Sequence, residues 1–470
     1  MRTSFFHFAT IASSILWWLP SCAGPPSPRH DAIISEAFAP ATRLEPSRRA
    51  DDITLPEDIT TRESVSLAQL FAYAELHAPA IATAMAQVEV SRAGQVEAAF
   101  RFPSNPTLDL GAGVRASSGA AGFDYEVALS QTLELSGEQR ARRHSAALEV
   151  EHASSMVDEI RWLTHVEVHR LAWLWLVTLE QREYASLVVD FSAKLEEVTR
   201  TQIEAGEISP LDLLVAQADL ARARTQLIDV TRQEEVIEAR LAAVIGWPPD
   251  RVLPALDETL PSPQSPRRLD ALLEQLVTHH PSVRKREIAV EARRAQLELA
   301  RREARPKPSF GASLARESSP GSTPATRAQA AHIGMLTLSI PLTMWRRNQE
   351  GIAMAQASAT LADRERAQTV RQLESELRIA SAAVDAALAT LDLYTLDIIP
   401  QLRTHFELLE RAYELGEVDI HQVSQTRERL LEAMTHYSQA RMSYFDRAAT
   451  LEGLVGTEQW GEPLSTKENP

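Results

Sequence analysis

From Glu138 to Ala205 the chain runs 68 residues without a glycine or a proline. These two residues cost most inside a helix, so no other stretch constrains the fold as strongly. At about 1.5 Å per residue such a helix reaches roughly 100 Å, several times the width of an ordinary domain. In Ala205-Gly206-Glu207-Ile208-Ser209, Gly206 supplies the left-handed conformation that ends a helix, and Pro210 suits the first turn of the next. The return stroke, 211–245, carries a seam at Leu213, Ala216, Leu220, Ala223, Leu227, Val230, Glu234, Ile237, Leu241 and Val244. A 3–4 spacing broken only by Glu234 predicts coiled-coil packing, and its alanines permit close helix approach.

The pattern then repeats. Leu415-Gly416-Glu417-Val418-Asp419 restates the turn 210 residues on, and the same shift carries Gly246 onto Gly456. It carries the seam onto Val423, Thr426, Leu430, Ala433, Tyr437, Ala440, Tyr444, Arg447, Leu451 and Leu454. A duplicated helical hairpin is the predicted skeleton.

Composition supports rods over a globule: 470 residues hold only 17 Gly and 6% aromatics, with long alanine-rich runs. A net charge of −16 argues against nucleic acid, whose phosphates require a basic surface. It suits either solvated helix faces or a water-filled conduit that favours cations. The single cysteine, Cys22, rules out an intrachain disulfide or a Cys-x-x-Cys metal site. No run of 18 apolar residues follows the N-terminus, so any membrane crossing is expected to be made by strands.

Residues 1–21 have the charged start and apolar centre of a secretory signal. They lead into Leu19-Pro20-Ser21-Cys22, which resembles a bacterial lipobox and makes Cys22 the expected lipidated residue. Residues 22–62 are polar and proline-punctuated, a tether. The first repeat is assigned to 63–246. Its helices Ser66–His77 and Pro79–Arg101 precede a period-two region at about 106–135, where Leu108, Leu110, Ala112 and Val114 face Phe123, Tyr125, Val127 and Leu129 across a turn at 116–122. A linker with six prolines follows at 247–267. The second repeat, 268–456, restates the plan. Its hairpin at about 308–342 has a turn at 318–325 and a last strand from about 332 to Leu342, and its outgoing helix from Ile352 to Leu415 is interrupted only by Pro400. Residues 457–470 form a polar tail.

Four strands cannot close a barrel, and an open sheet edge cannot be left in lipid. Three chains would pool twelve strands, within the range of outer-membrane barrels. Two would pool eight, a number whose interior side chains fill it.

At this point the chain resembles the TolC-type outer-membrane efflux family, and within it the outer-membrane subunits of heavy-metal cation (RND-type) efflux systems. Ile203-Glu204-Ala205-Gly206-Glu207-Ile208-Ser209 and Tyr413-Glu414-Leu415-Gly416-Glu417-Val418 look like the family's two hairpin-tip turns. Leu129-Ser130-Gln131-Thr132-Leu133-Glu134-Leu135-Ser136-Gly137 looks like its first strand-to-helix junction, and Pro341 to Ile352, which includes Arg347-Asn348-Gln349-Glu350-Gly351, like the second. The resemblance covers roughly 62–457. It implies a mainly α fold with a small β part, in which duplicated helical hairpins form a trimeric α-barrel tunnel and two β-hairpins per chain join a shared 12-stranded outer-membrane β-barrel. It implies a homotrimer, a periplasmic adaptor protein, an inner-membrane RND-type pump, and no cofactor or chemistry on this chain. The hairpin tips with Gly206, Glu207, Gly416 and Glu417 would dock the adaptor and form the gate.

Glu407, Glu410 and Glu414 step by three and four toward the second tip and share a helix face. In a trimer one such glutamate makes a ring of three carboxylates that selects cations; the other reading is a solvated outer face. Glu407 and Glu410 fall where the family's acidic aperture residues are expected. His165 and His169 are four apart, but zinc wants three or four ligands and the sequence offers no third, so both read as packing residues and no metal site is expected. His279-His280 reads as a helix terminus, and Trp162, Trp173 and Trp175 as packing within the helical part. No phosphate loop, nucleophile elbow or His-Glu-x-x-His motif is present in the sequence, so no enzyme is expected. A drug or polypeptide conduit of the same family, or a periplasmic coiled-coil scaffold lipoprotein, are the alternatives to a metal-cation conduit.

Overall fold

The computed structural model describes residue 59 and residues 64–117, 120–205, 209–319, 329–414 and 420–460. The signal segment, Cys22, nearly all of the tether, the tip residues Gly206, Glu207, Gly416 and Glu417, and the tail beyond 460 lie outside them. The protein is mainly helical with a small antiparallel sheet. Two compact units divide the chain, one built around the sheet (89–134 and 308–339) and the other helical.

In the helical unit, a short strand β1 (Ser64–Val65) leads into α1 (Leu67–His77) and the start of α2 (Pro79–Ala99). The side chain and backbone of Ser66 and Gln69 cap α1 reciprocally. The glycine-free run is one helix, α3 (Glu138–Glu204, 67 residues), answered by α4 (Pro210–Ile245). The seam of α4 packs as its spacing demands: Ala216, Leu220, Ala223, Ile237 and Leu241 are buried. The one polar seam residue, Glu234, is also buried and meets Arg182 of α3 at 3.0 Å. A charge placed in a seam is tolerable only when paired.

A two-residue strand in the linker, β4 (Ala255–Leu256), pairs in parallel with β1. The second half restates the helices as α5 (Leu269–His279), α6 (Pro281–Glu303), α7 (Gln349–Asp392), α8 (Ile399–Glu414) and α9 (Ile420–Val455). The second seam departs from the shifted pattern at Arg447 and at Leu454. Arg447 is exposed and Leu454 half-buried, and the buried line steps through Tyr444, Ala448, Leu451 and Val455, a 4–3–4 spacing. An arginine cannot be desolvated there without a partner, so the apolar neighbour takes the inner position.

Each repeat has its own core, and α3 serves both. Val168, Leu171 and Trp175 join Leu70, Leu241 and Ile245 in the first. Trp173 and Val177 join Leu272, Leu276, Leu377, Tyr444 and Phe445 in the second. Against the expectation that no later helix could span a membrane, one stretch within Gln349–Leu409 is long and apolar enough by composition to do so. Alanine supplies much of that apolarity. In the same helix Leu377, Ala380, Val384, Ala387 and Leu391 form a heptad line buried in the second core, so one side of it is packed.

The outgoing helix of the second repeat is interrupted earlier than Pro400 alone implies. Six residues, Leu393–Ile398, form a π-helical turn in which the Ile399 N–H bonds to the Tyr394 carbonyl. Pro400 has no N–H to give the carbonyl four residues back, and the wider turn just before it absorbs the mismatch.

The junctions that launch the two long helices use the same left-handed geometry. Gly137 (φ 82°) precedes α3 and Asn348 (φ 54°) precedes α7. Asn348 is the only non-glycine at positive φ among the described residues; it tolerates that region and donates from Nδ2 to the Ala300 carbonyl at 3.0 Å. A Cβ on Gly351 would lie 2.4 Å from Asn348 Oδ1, so the glycine leaves room for the asparagine.

The repeat-related glycines at the far ends of α4 and α9 have a common duty. Gly246 (φ 76°) sits against the His77 carbonyl and Gly456 (φ 84°) against the His280 backbone, where added Cβ atoms would approach to 2.2 and 2.7 Å. Gly246→Ala or Gly456→Ala is therefore expected to cost at least about 1–2 kcal/mol, from the left-handed strain alone. The measurement is the denaturant midpoint of the helical circular dichroism signal.

His280 ends α5 and caps α6, accepting at Nδ1 from Ser282 N–H (3.1 Å) while its Nε2–H donates to the Gly453 carbonyl (3.1 Å). Burial holds this ring below the usual histidine range. A proton therefore binds the unfolded chain first as pH falls. Stability from the neutral ring is complete above about pH 6.5 and is lost as pH drops through the lower folded value. His280→Gln is expected to flatten the decline in thermal stability below about pH 6.5, read from melting curves of both proteins across that range.

Candidate functional site

The sheet consists of β2 (Thr107–Ser117), β3 (Ala120–Thr132), β5 (Ser309–Ser319) and β6 (Gln329–Ser339) in the order β2-β3-β5-β6. The strands run deeper into both turns than the sequence implied: β2 reaches Ser117 and β3 resumes at Ala120, while β5 continues through Ser319. β6 begins and ends about three residues earlier than expected. It stops at Ser339 because Pro341 has no N–H for a ladder. The second hairpin owes its greater length to its connection, since its strands are no longer than those of the first.

β3 and β5 pair from Tyr125↔Arg316 to Thr132↔Ser309, so the two hairpins fuse into one sheet. Register then sorts the side chains. Leu108, Leu129, Ala312 and Leu336 form one cross-strand row, and Leu110, Val127, Leu314 and Gly334 the next. Residues directly opposite share a face. That face is therefore apolar and solvent-facing in the single chain, with Leu110 71% and Leu336 77% exposed. The opposite face carries the rows Thr107, Ser130, Gly311, Thr337 and Asp109, Ala128, Ser313, Met335, with Glu126 beyond; Met335 and Ile333 are the large apolar residues in these rows.

At the turn end, Asp124 ties three strands. Its Oδ1 accepts from both the N–H and the Oγ of Ser318 at 2.7 Å, and its Oδ2 from Arg115 Nε at 2.8 Å. Arg115 also approaches Glu317 at 3.5 Å. Gly122 lies so close to Ser318 that a Cβ would overlap it. Nothing in the local sequence marks this knot, because its members are 194 residues apart. Among the described residues, β2 and β6 have no strand on their outer edges.

The other expected site residues divide by what is described. Glu407, Glu410 and Glu414 all lie on α8, and Glu407 is exposed. The tip turns themselves fall in 206–208 and 415–419, outside the described residues. Near them the two helical hairpins are bridged: Arg222 of α4 meets Glu428 of α9 at 3.1 Å, and Gln226 donates to Thr435 at 3.2 Å. Trp173 and Trp175 are buried, and Trp162 Nε1 donates to the Gly453 carbonyl at 3.0 Å. His165 and His169 pack on aromatic rings, as expected, and the fold places beside them a carboxylate that the sequence did not show. Glu452 of α9 reaches His169 Nδ1 at 3.0 Å, a neighbour 283 positions away in sequence.

A sheet that turns a leucine-rich face outward and ends in two open edges, on a chain of duplicated helical hairpins, defines the subunit of an outer-membrane conduit. The comparisons with known proteins agree. Residues 71–247 and 272–457 match the outer membrane efflux protein family, and the chain belongs to it. It is 23% identical over 326 residues to the cobalt-zinc-cadmium resistance protein CzcC of Cupriavidus metallidurans, covering 69% of this chain and 75% of that one. Solved structures share the fold. CusC superposes with a TM-score of 0.65 at 16% identity (84% of this chain, 94% of that one). The outer membrane protein VceC of Vibrio cholerae does so with 0.65 at 17% identity (83% and 96%).

The face assignment has a direct test. Leu336→Arg, on the apolar face, is expected to cost roughly 2–4 kcal/mol if that row lies near the bilayer midplane and to deplete the protein from outer membranes. Ser313→Arg, on the opposite face, is expected to leave the amount unchanged, as read by immunoblot of membrane fractions.

Proposed function

We propose that this chain is the outer-membrane duct of a tripartite efflux system for heavy-metal cations, working as a homotrimer with a periplasmic adaptor and an inner-membrane RND-type pump. The observation that carries the reading is the sheet with its outward apolar face and two open edges. Lipid tolerates such a sheet only when its edges are paired by copies of itself. Three copies bring twelve strands of 11 to 13 residues, long enough to cross a bilayer. Trp345, 82% exposed just after β6, is the kind of residue that sits at a membrane–water boundary.

In this reading the repeats span 63–246 and 268–456 and Cys22 carries the lipid anchor. The protein performs no chemistry: the pump supplies the energy, and the duct keeps the cargo in water across periplasm and membrane. The metal cargo rests on the likeness to a cobalt-zinc-cadmium resistance protein. The tips with Gly206, Glu207, Gly416 and Glu417 meet the adaptor. Glu407, Glu410 and Glu414 form the acidic aperture, where one residue per chain gives three carboxylates about the axis.

Purified protein in planar bilayers provides the test, comparing wild type with Glu407→Ala and Glu410→Ala. Stepwise cation-selective conductance that loses selectivity on substitution is expected. Conductance with unchanged selectivity would discard the aperture. The absence of both conductance and an SDS-resistant trimer would discard the duct.

A further inference from the structure

Glu452 is the most anomalous residue in the helical unit. Its side chain is fully buried, and neither carboxylate oxygen makes a hydrogen bond to any described residue. A buried carboxylate without compensation costs several kcal/mol. Facing it, His165 Nε2 and His169 Nδ1 are likewise shut off from water and without hydrogen bonds. The separation of His169 Nδ1 from Glu452 Oε2, 3.0 Å, would suit a hydrogen bond, yet the ring N–H is not aligned to make one. One donor atom from each of the three residues lies within 4.8 Å of the others. A fourth group, Glu458, stands 3.2 Å from His165 Nε2. Two ring nitrogens and a carboxylate gathered at one buried place are the donor set that a divalent transition-metal ion takes.

The surroundings hold these groups in place. His165 is stacked between Phe71 (centroids 3.9 Å apart) and Trp162 (5.4 Å), and His169 leans on Trp173 at 3.9 Å. α9 comes close to α3 at Gly453, where a Cβ would lie 3.1 Å from Val166. The Gly453 carbonyl is fixed by Trp162 Nε1 and His280 Nε2. That close approach delivers the neighbouring Glu452 into the gap beside the two histidines.

We propose that His165, His169 and Glu452 bind one divalent transition-metal ion of the zinc type, with Glu458 as the fourth ligand. Two imidazoles and a carboxylate suit Zn2+ and Co2+ better than calcium or magnesium, which take oxygen ligands. Tetrahedral ligands about 2.1 Å from zinc stand roughly 3.4 Å apart, so binding narrows the widest separation, up to 4.8 Å, and slightly opens the 3.0 Å approach of His169 Nδ1 to Glu452 Oε2. The ion adds a crosslink between α3 of the first repeat and α9 of the second. His169 and Glu452 are buried between α3 and α9 and His165 is half-buried, so the site is a structural clamp; it does not depend on what the duct carries.

The full-length protein, stripped with a chelator and dialysed, is titrated with Co2+, whose visible d–d bands report tetrahedral coordination, and the bound metal is counted by mass spectrometry. One Co2+ per chain, displaced by Zn2+, is expected, with affinity lowered at least tenfold by His169→Asn or Glu452→Gln. X-ray absorption of the Zn2+-loaded wild type, which needs no variant, should give two imidazoles and oxygen in the first shell. Wild-type protein that takes up no ion, a different ligand set, or undiminished binding by the double variant His165→Asn/His169→Asn would overturn the site.

Discussion

A peptide N–H or C=O in hydrocarbon has no water to turn to, and the architecture follows from that. The four strands of one chain satisfy each other across three ladders and leave the outer rows of β2 and β6 without partners among the described residues. In a water-soluble sheet such edges would be blunted by charge or proline. Here the face beside them is leucine and valine, so both features demand the same remedy, further strands from outside the chain. The duplication in sequence is then economical: one helix-hairpin-helix plan, written twice, supplies two hairpins that fuse through β3 and β5 into a single unit of assembly.

Inside the helical unit the governing interaction is different. Long helices gain little from propensity alone and are held by a narrow apolar line against a partner. α3 presents two such lines, one to each repeat's core, and so the two halves cannot fold as independent bodies. Polar residues enter these lines only where a partner meets them, as Arg182 meets Glu234. Glu452 is met by His169 at 3.0 Å, with His165 beside them, and that group is the proposed ion site.

The long helix, its turn residues and the α4 seam were legible because each is local: absent glycine and proline, a fixed period, a repeat shift. The strands were legible by their alternation, but their ends were not. Pairing with the other strand of the same hairpin extends β2, β3 and β5 past residues that look like turn formers, and Pro341 ends β6 early. Arg447 was misplaced because a copied spacing carries no knowledge of which side chain can be desolvated. The carboxylate beside His165 and His169 was invisible for a similar reason, since Glu452 reaches them only after both repeats have packed. The Asp124 knot likewise spans the two halves.

The outgoing strokes of the two repeats differ in one respect. α3 runs unbroken from Glu138 to Glu204, while its counterpart passes through the Leu393–Ile398 π turn ahead of Pro400. A missing hydrogen bond and a widened turn make a compliant joint, so the two struts of one chain have unequal bending stiffness. Force applied at the ends of the helical hairpins is then not shared evenly: the first strut transmits it and the second flexes. Repeated around a symmetric assembly, stiff and compliant struts would alternate, and the lumen would deform along every second strut rather than uniformly.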